Sequence, residues 1–270
     1  MPDISANDVH VRAITDEETE FFYENGWVHL PSLIDRETAA ELLRRAQLVF
    51  GADGRKGLEN EAPVTEYWQA WLRTKFDSSE DEYFKALSTS SQLGENAARL
   101  LGRDSSIRMM LSNMSVKLPK DSGKGNPTDF HQDTPGHAYL EGSFLTAWVA
   151  LDEVQPDMGA MQFYSRSHRI GNLGNLKDNW DQWAPHLERS CSLSGPVALQ
   201  PGDATIHRDG TIHGTYANVS GRPRWSWASV MVPGDARYTG AANPYTDGLG
   251  FEPFGQLDHP RFPIIYTPKR

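Results

Sequence analysis

Thr128-Asp129-Phe130-His131-Gln132-Asp133 is the stretch from which the rest of this chain is read. Taken as a strand, it sends residues i and i+2 to the same side, so His131 and Asp133 can reach one point. A second histidine, His213, lies far downstream and would come from a distant strand folded back beside the first. Two imidazoles and one carboxylate can occupy one face of an octahedral iron(II) ion and leave the opposite face open, the donor set of a non-haem iron(II) oxygenase site. A bare His-x-Asp pair is weak on its own, because most such pairs are surface or structural. The surrounding sequence has to carry the assignment.

From Ile107 onward, short apolar runs are broken by Gly, Pro, Asn and Asp. The pattern predicts strands over Ile107–Leu118, Thr128–Asp133, Phe144–Leu151, Ala160–Tyr164, Ala204–His207, Ile212–Tyr216 and Arg224–Val232. Many short strands with Gly/Pro turns point to a sandwich or barrel. A jelly roll of two sheets would present the three metal candidates at one open end. Upstream the periodicity is helical. Thr15-Asp16-Glu17-Glu18 is a capping box, and Gly26 suits the end of the helix it starts. Trp27 to Leu30 reads as a short strand stopped by Pro31. Asp35 can cap a second helix, in which Leu42, Leu43, Ala46 and Val49 recur at helical spacing up to Gly51, and a third runs through Gln92 to Leu101. The fold class expected is mainly β with flanking helices around a double-stranded β-helix (jelly-roll, cupin-like) core. The expected organisation is one domain over residues 1–270: a mostly helical flank (1–105), the core (106–232), and a segment rich in Pro, Gly and aromatics (233–270) that wraps the body or covers the mouth.

Composition narrows the function classes. The chain has 270 residues and a formal net charge of −10, a balance that argues against general nucleic-acid binding, which needs clustered Lys and Arg. Cys191 is the single cysteine, so neither an intrachain disulfide nor a Cys-based metal site is available. No apolar run approaches the length of a membrane helix, and Met1-Pro2-Asp3-Ile4-Ser5 lacks a signal pattern. A cytoplasmic location, no membrane and a small-molecule partner are therefore expected, with the oligomeric state left open.

The segment around His213 extends the pattern. Gly202-Asp203 opens a short apolar stretch, Ala204-Thr205-Ile206-His207, and after His213 come Asn218, Ser220, Arg222, Pro223 and Arg224. This resembles the phytanoyl-CoA dioxygenase family of iron(II)/2-oxoglutarate oxygenases, in which Gly-Asp, a strand and a ligand histidine precede Asn-x-Ser and an arginine. Phe22 to Leu30 resembles the family's N-terminal Phe…Gly-Tyr-Val-Val opening, and Ala147 to Glu153 its central strand. Asp157 to Gln162 and Ser165 to Arg169 resemble its Asn-Gly-x-(Leu/Met) and Pro-Gly-Ser-His-Lys elements. Met158, Ser165 and Arg166 depart from the commoner residues, away from the metal candidates. Order and spacing agree from about residue 20 to about residue 231.

The resemblance implies Fe(II), 2-oxoglutarate as co-substrate, and O2, with His131, Asp133 and His213 as metal ligands. Two electrons beyond those taken from a C–H bond would come from decarboxylation of 2-oxoglutarate. Its far carboxylate needs a fixed cation, and Arg224 is chosen because a guanidinium binds a carboxylate through two parallel hydrogen bonds. Ser226, two residues along, would face the same way. Thr215 and Trp148 match family positions that contact the co-substrate or wall it. No catalytic group beyond the metal centre is expected. Because a carboxylate, Asp133, occupies the position that iron halogenases of this type leave empty for chloride, hydroxylation or a related oxidation is favoured over halogenation. Lys117 reads as an exposed lysine, His168 as a histidine that supports a ligand or is purely structural, and His137 and His207 as the ligands most easily mistaken for the true set. Trp68, Trp71, Tyr139, Trp180, Trp183, Phe251 and Phe254 can line an apolar pocket; Tyr139, Trp180 and Trp183 are the substrate candidates, with Lys177–Trp183 as a lid. Without a basic cluster for a CoA nucleotide, the substrate expected is a small, largely apolar organic molecule or natural product. A zinc-dependent hydrolase and a non-catalytic metal-binding jelly roll are the alternatives.

Overall fold

The computed structural model describes residues 5–61 and 70–269. In chain order it contains α1 (Asp16–Asn25), β1 (Trp27–Leu30), α2 (Arg36–Phe50), β2 (Arg73–Lys75), α3 (Glu82–Ser88), α4 (Ser91–Leu101), β3 (Ile107–Lys117), β4 (Thr128–His131), β5 (Leu140–Glu141) and β6 (Leu145–Ala150). Then follow β7 (Met161–Ser165), α5 (Leu176–Ser190), β8 (Ser192–Leu193), β9 (Ala204–Arg208), β10 (His213–Thr215), β11 (Arg224–Pro233), β12 (Arg237–Tyr238) and β13 (Ile264–Tyr266). The main sheet runs β1-β9-β6-β11-β3-β13 with β2 also on β3, and a smaller sheet runs β4-β10-β7-β8. The two sheets form the jelly roll expected from the strand pattern.

Strand alternation sorts the main sheet into two different faces. Leu145, Ala147, Val149, Trp225, Trp227, Met114 and Val116 belong to the largest core cluster, together with Phe22 of α1, Leu42 and Ala46 of α2, and Leu93 and Ala97 of α4. Helices therefore cover the outer face. The residues in between point into the space between the sheets. Trp148 and Ala150 pack there with Trp27, Met161 and Phe163, beside buried Ser115, Lys117, Thr205, His207, Arg224 and Ser226.

The helix ends follow their capping chemistry. Thr15 accepts from the Glu18 amide while Glu18 reaches back to the Thr15 amide, and Asp35 accepts from the Thr38 amide. Gly26 is left-handed (φ 81°), and a Cβ there would meet His168 Nδ1 at 2.3 Å and Thr211 Oγ1 at 2.7 Å. Glycine is thus required twice over. The Gly26 carbonyl accepts from the Arg208 amide and the Thr211 hydroxyl, which ties the end of α1 to the turn leading into β10.

Three elements differ from expectation. Lys177–Trp183 lies in α5, not in a loop across the barrel mouth. β13 places part of the C-terminal segment in the main sheet against β3, and Phe262 and Leu257 of that segment are fully buried beside Tyr139 and Phe144. Strand β4 ends at His131, so Asp133 begins a 3₁₀ turn. Among the described residues no helix is long and apolar enough to cross a membrane.

Candidate metal centre

His131 and His213 are directly opposed in the register of β4 and β10. Their ring centroids lie 4.4 Å apart. The close approach depends on Gly214, where a Cβ would lie 2.9 Å from the Thr128 carbonyl and 3.0 Å from the Phe130 ring. Each imidazole is fixed through Nδ1 to a carbonyl two residues back: His131 to Asp129 at 2.8 Å, His213 to Thr211 at 3.0 Å. With Nδ1–H donated, each Nε2 keeps its lone pair for a metal.

Asp133 completes the cluster from a turn, not from the strand period. Gln132 makes this possible: its amide nitrogen donates to the Gly171 and Gly210 carbonyls, and its oxygen accepts from the Leu173 amide. The Asp133 amide donates to the Asp209 carbonyl at 3.0 Å. Asp133 Oδ1 then stands 3.6 Å from His131 Nε2 and 3.7 Å from His213 Nε2. One donor atom from each of the three lies within 4.8 Å of the others.

The second carboxylate oxygen is held from the main sheet. Thr146 donates to Asp133 Oδ2 at 2.6 Å, and His207 Nε2 meets the same atom at 3.1 Å. Thr146 and His207 are register partners on β6 and β9, so a cross-strand pair grips one oxygen and leaves Oδ1 for a metal. Burial opposes the charge on Asp133, but the nearby imidazoles of His213, His131 and His207 hold its pKa well below the carboxylate range. Burial, with His207 and His131 nearby, pushes His213 well down, which favours the neutral imidazole. His137 is likewise lowered by burial; its Nδ1 pairs with the Tyr139 hydroxyl at 3.1 Å. His168 packs under Gly26 and is structural.

Deeper between the sheets lie two buried basic side chains. Arg224, 2% exposed, donates to the Gly159 carbonyl and lies over the Trp148 ring at 5.0 Å. Its Nε has no hydrogen-bond partner among the described residues. Burial lowers its pKa to about 10. Opposite it in register is Lys117, which is buried and not exposed as its residue type suggests. The Lys117 ammonium donates to the Asn126 carbonyl at 2.6 Å and to Thr215 Oγ1 at 3.0 Å. Burial, and then the charge of Arg224, lower its pKa to about 6. Neither Arg224 nor Lys117 forms an ion pair among the described residues. Ser226, two residues along β11 from Arg224, is buried as well. The donor set and these basic side chains fit iron(II) and a dicarboxylate in chemistry: nitrogen and oxygen donors for the metal, a planar fork for the carboxylate.

The aromatic substrate candidates are scattered. Trp71 lies against His131, ring centroids 5.7 Å apart. Trp180 stacks on Phe130 at 5.3 Å and approaches Tyr164, and with Trp183 it belongs to the cluster under α5. Trp180 also lines a cleft with Asp129, Phe130, Lys177 and Thr215. Tyr139 is 1% exposed inside the C-terminal core. Phe251 packs in that same C-terminal core, Phe254 is exposed, and Trp68 lies outside the described residues.

Comparisons with known proteins give the family and the fold. The sequence profile of the phytanoyl-CoA dioxygenase (PhyH) family matches residues 22–226. No curated protein matches the chain in sequence. Among solved structures, the non-haem α-ketoglutarate-dependent epimerase SnoN from nogalamycin biosynthesis is 26% identical, covering 93% of this chain and 98% of its own, with a TM-score of 0.72. The same enzyme in complex with Fe3+, α-ketoglutarate and nogalamycin RO gives a TM-score of 0.74 at 25% identity, with the same coverage. The α-ketoglutarate-dependent carbocyclase SnoK shares the fold at 23% identity and a TM-score of 0.72, covering 96% of this chain and 98% of its own.

Proposed function

This chain belongs to the phytanoyl-CoA dioxygenase family and is a non-haem iron(II)- and 2-oxoglutarate-dependent enzyme that uses O2, and from that premise we propose that it hydroxylates a C–H bond of a small organic molecule. His131, Asp133 and His213 hold the iron in this reading, and Arg224 anchors the far carboxylate of 2-oxoglutarate with Ser226, Thr215 and Lys117 around it and Trp148 as a wall. Iron(II) with 2-oxoglutarate supplies two-electron activation of dioxygen, with succinate and CO2 as by-products. The protein's own contribution is positional. The Thr146–His207 grip keeps one Asp133 oxygen turned to the metal, and the Nδ1 bonds fix both imidazole tautomers.

The observation that carries the reading is the coincidence of two features between the same sheets. One is the convergent His131/Asp133/His213 donor set; the other is a buried guanidinium with no carboxylate partner among the described residues. A zinc hydrolase needs the first but gives no account of the second. Likeness to SnoN supports epimerisation as a second fate for the same activated carbon.

The test is anaerobic addition of iron(II) and 2-oxoglutarate, which should produce a weak visible charge-transfer band, followed by oxygen and product analysis. A product heavier by one oxygen atom supports hydroxylation, and one of unchanged mass supports epimerisation. Asp133→Ala should weaken iron binding and abolish turnover. Full activity in that variant overturns the ligand assignment.

A further inference from the structure

A cleft of about 470 Å³ opens along the inner face of β2, β3 and β11. One wall is Trp71, whose ring also lies against the metal candidate His131. The cleft therefore shares this indole with the neighbourhood of the metal candidates. The floor is low because Ala228 stands in register between Trp148 of β6 and Asn113 of β3; the methyl group of Ala228 leaves open the space that a larger side chain would fill.

The polar groups lining the cleft are the uncharged Thr74, Asn113 and Ser115 and the charged Glu61, Arg73 and Lys124. Thr74 and Ser115 share one hydrogen bond at 3.1 Å, so between them they retain one donor and several lone pairs. Asn113 accepts from the Asp77 amide at 3.3 Å and also bonds Tyr245. The charged ones are satisfied among themselves: Glu61 pairs with Arg73 at 2.7 Å and with Lys124 at 3.0 Å. A charged ligand would have to break that cluster. A wholly aliphatic ligand would strip water from Ser115, Thr74 and Asn113 without replacing its hydrogen bonds. A flat ring bearing hydroxyl or carbonyl groups satisfies both the indole wall and the polar floor.

We propose that this cleft is the substrate site and that the substrate is a neutral, flat, ring-containing molecule carrying hydroxyl or carbonyl groups. The inference rests on the metal and co-substrate assignment only for its role in turnover, not for binding. It revises the largely apolar substrate expected from the aromatic content of the sequence.

The probe is 1,5-dihydroxynaphthalene, with 1,5-dimethylnaphthalene and 1-naphthoate as comparisons, titrated calorimetrically into iron-free protein and into protein loaded anaerobically with iron(II) and 2-oxoglutarate. The dihydroxy probe should bind about tenfold tighter than the dimethyl one, the worth of one or two hydrogen bonds, and tighter than the anion. Ala228→Leu should weaken it by about tenfold or more while the charge-transfer band persists. Asn113→Ala should erase much of the hydroxyl preference. Failure of the dihydroxy probe to bind wild-type protein overturns the proposal, as does unchanged affinity in a folded Ala228→Leu variant. Probe binding that Ala228→Leu weakens, in a protein that shows no band, upholds the cleft and refutes the cofactor assignment instead.

Discussion

Replacing Arg224 by alanine removes a buried, fork-shaped cation from the inner face of the main sheet. Its guanidinium is 2% exposed and spends one Nη1 bond on the Gly159 carbonyl; Nε is unmatched among the described residues. A carboxylate bound there would be a desolvated, hydrogen-bonded ion pair. Loss of one partner of such a pair costs about 2–5 kcal/mol, or roughly 30- to 4,000-fold in affinity at about 1.4 kcal/mol per tenfold. The assay is anaerobic titration of 2-oxoglutarate into the iron(II) protein, following the charge-transfer band. Iron affinity should change little, because Arg224 contacts none of the three metal candidates. Arg224→Lys should recover part of the loss, since an ammonium lacks the planar fork. Unchanged 2-oxoglutarate dependence in Arg224→Ala would refute the anchor role. Arg222 could not inherit it, being exposed and paired with Asp152 at 3.0 Å; Lys117 would become the anchor.

Three further outcomes are expected. His207→Ala, or Thr146→Val, should weaken iron binding about 10- to 100-fold, read by competition with a metal indicator; unchanged metal affinity in both would show that the grip on Asp133 Oδ2 is incidental. Lys117, lowered to about 6 by burial and Arg224, should regain a proton when a dicarboxylate binds. Affinity for 2-oxoglutarate should then fall as pH rises above about 6, by up to about tenfold per pH unit, and calorimetry in buffers of different ionisation enthalpy should register proton uptake. In the ligand-free protein the same depressed pKa makes stability rise with pH between about 6 and 10.5, because unfolding then takes up the proton; a flat profile there would contradict it. Trp180→Ala should lower the melting temperature, by about 3 kcal/mol in stability, and leave the succinate-to-product ratio intact. Loss of coupling without loss of stability would restore Trp180 to the substrate path.

The strands were legible because alternation has a short period and Gly and Pro mark its breaks. Alternation fixes which residues share a face, but not which face meets water. Lys117 and His207 show the consequence. In β3 and β9 the apolar residues face the helices and the polar ones face the second sheet, so a lysine that reads as solvated is interior. The helix α5 was hidden for another reason. It carries Pro185 and a non-helical Asn179, and its aromatic residues lie among Asp, Asn and Gln, which reads as a loop. His131, Asp133 and His213 were found on a premise half right. The strand period accounts for the direction of His131, whereas Asp133 is delivered by the three hydrogen bonds of Gln132, whose position in the His-Gln-Asp run had no assigned part.

The buried polar groups of the two facing sheets divide by what they lack. Gln132 has its amide filled on both sides, and Asp133 Oδ2 takes two donors; such groups are rigid and serve to aim their neighbours. Asp133 Oδ1 and the Nε2 atoms of His131 and His213 are held near one another without a normal hydrogen bond between them, at separations of 3.6 and 3.7 Å. Arg224 keeps an open Nε beside a second buried basic side chain, Lys117. Buried polar atoms left in this state cost stability, and a chain selected for stability alone would replace them with apolar side chains of similar volume. Their convergence on one space, each held in place by a fully bonded neighbour, is what a site built to receive a metal and an anion requires, and it is difficult to reconcile with a jelly roll that had lost its ligands.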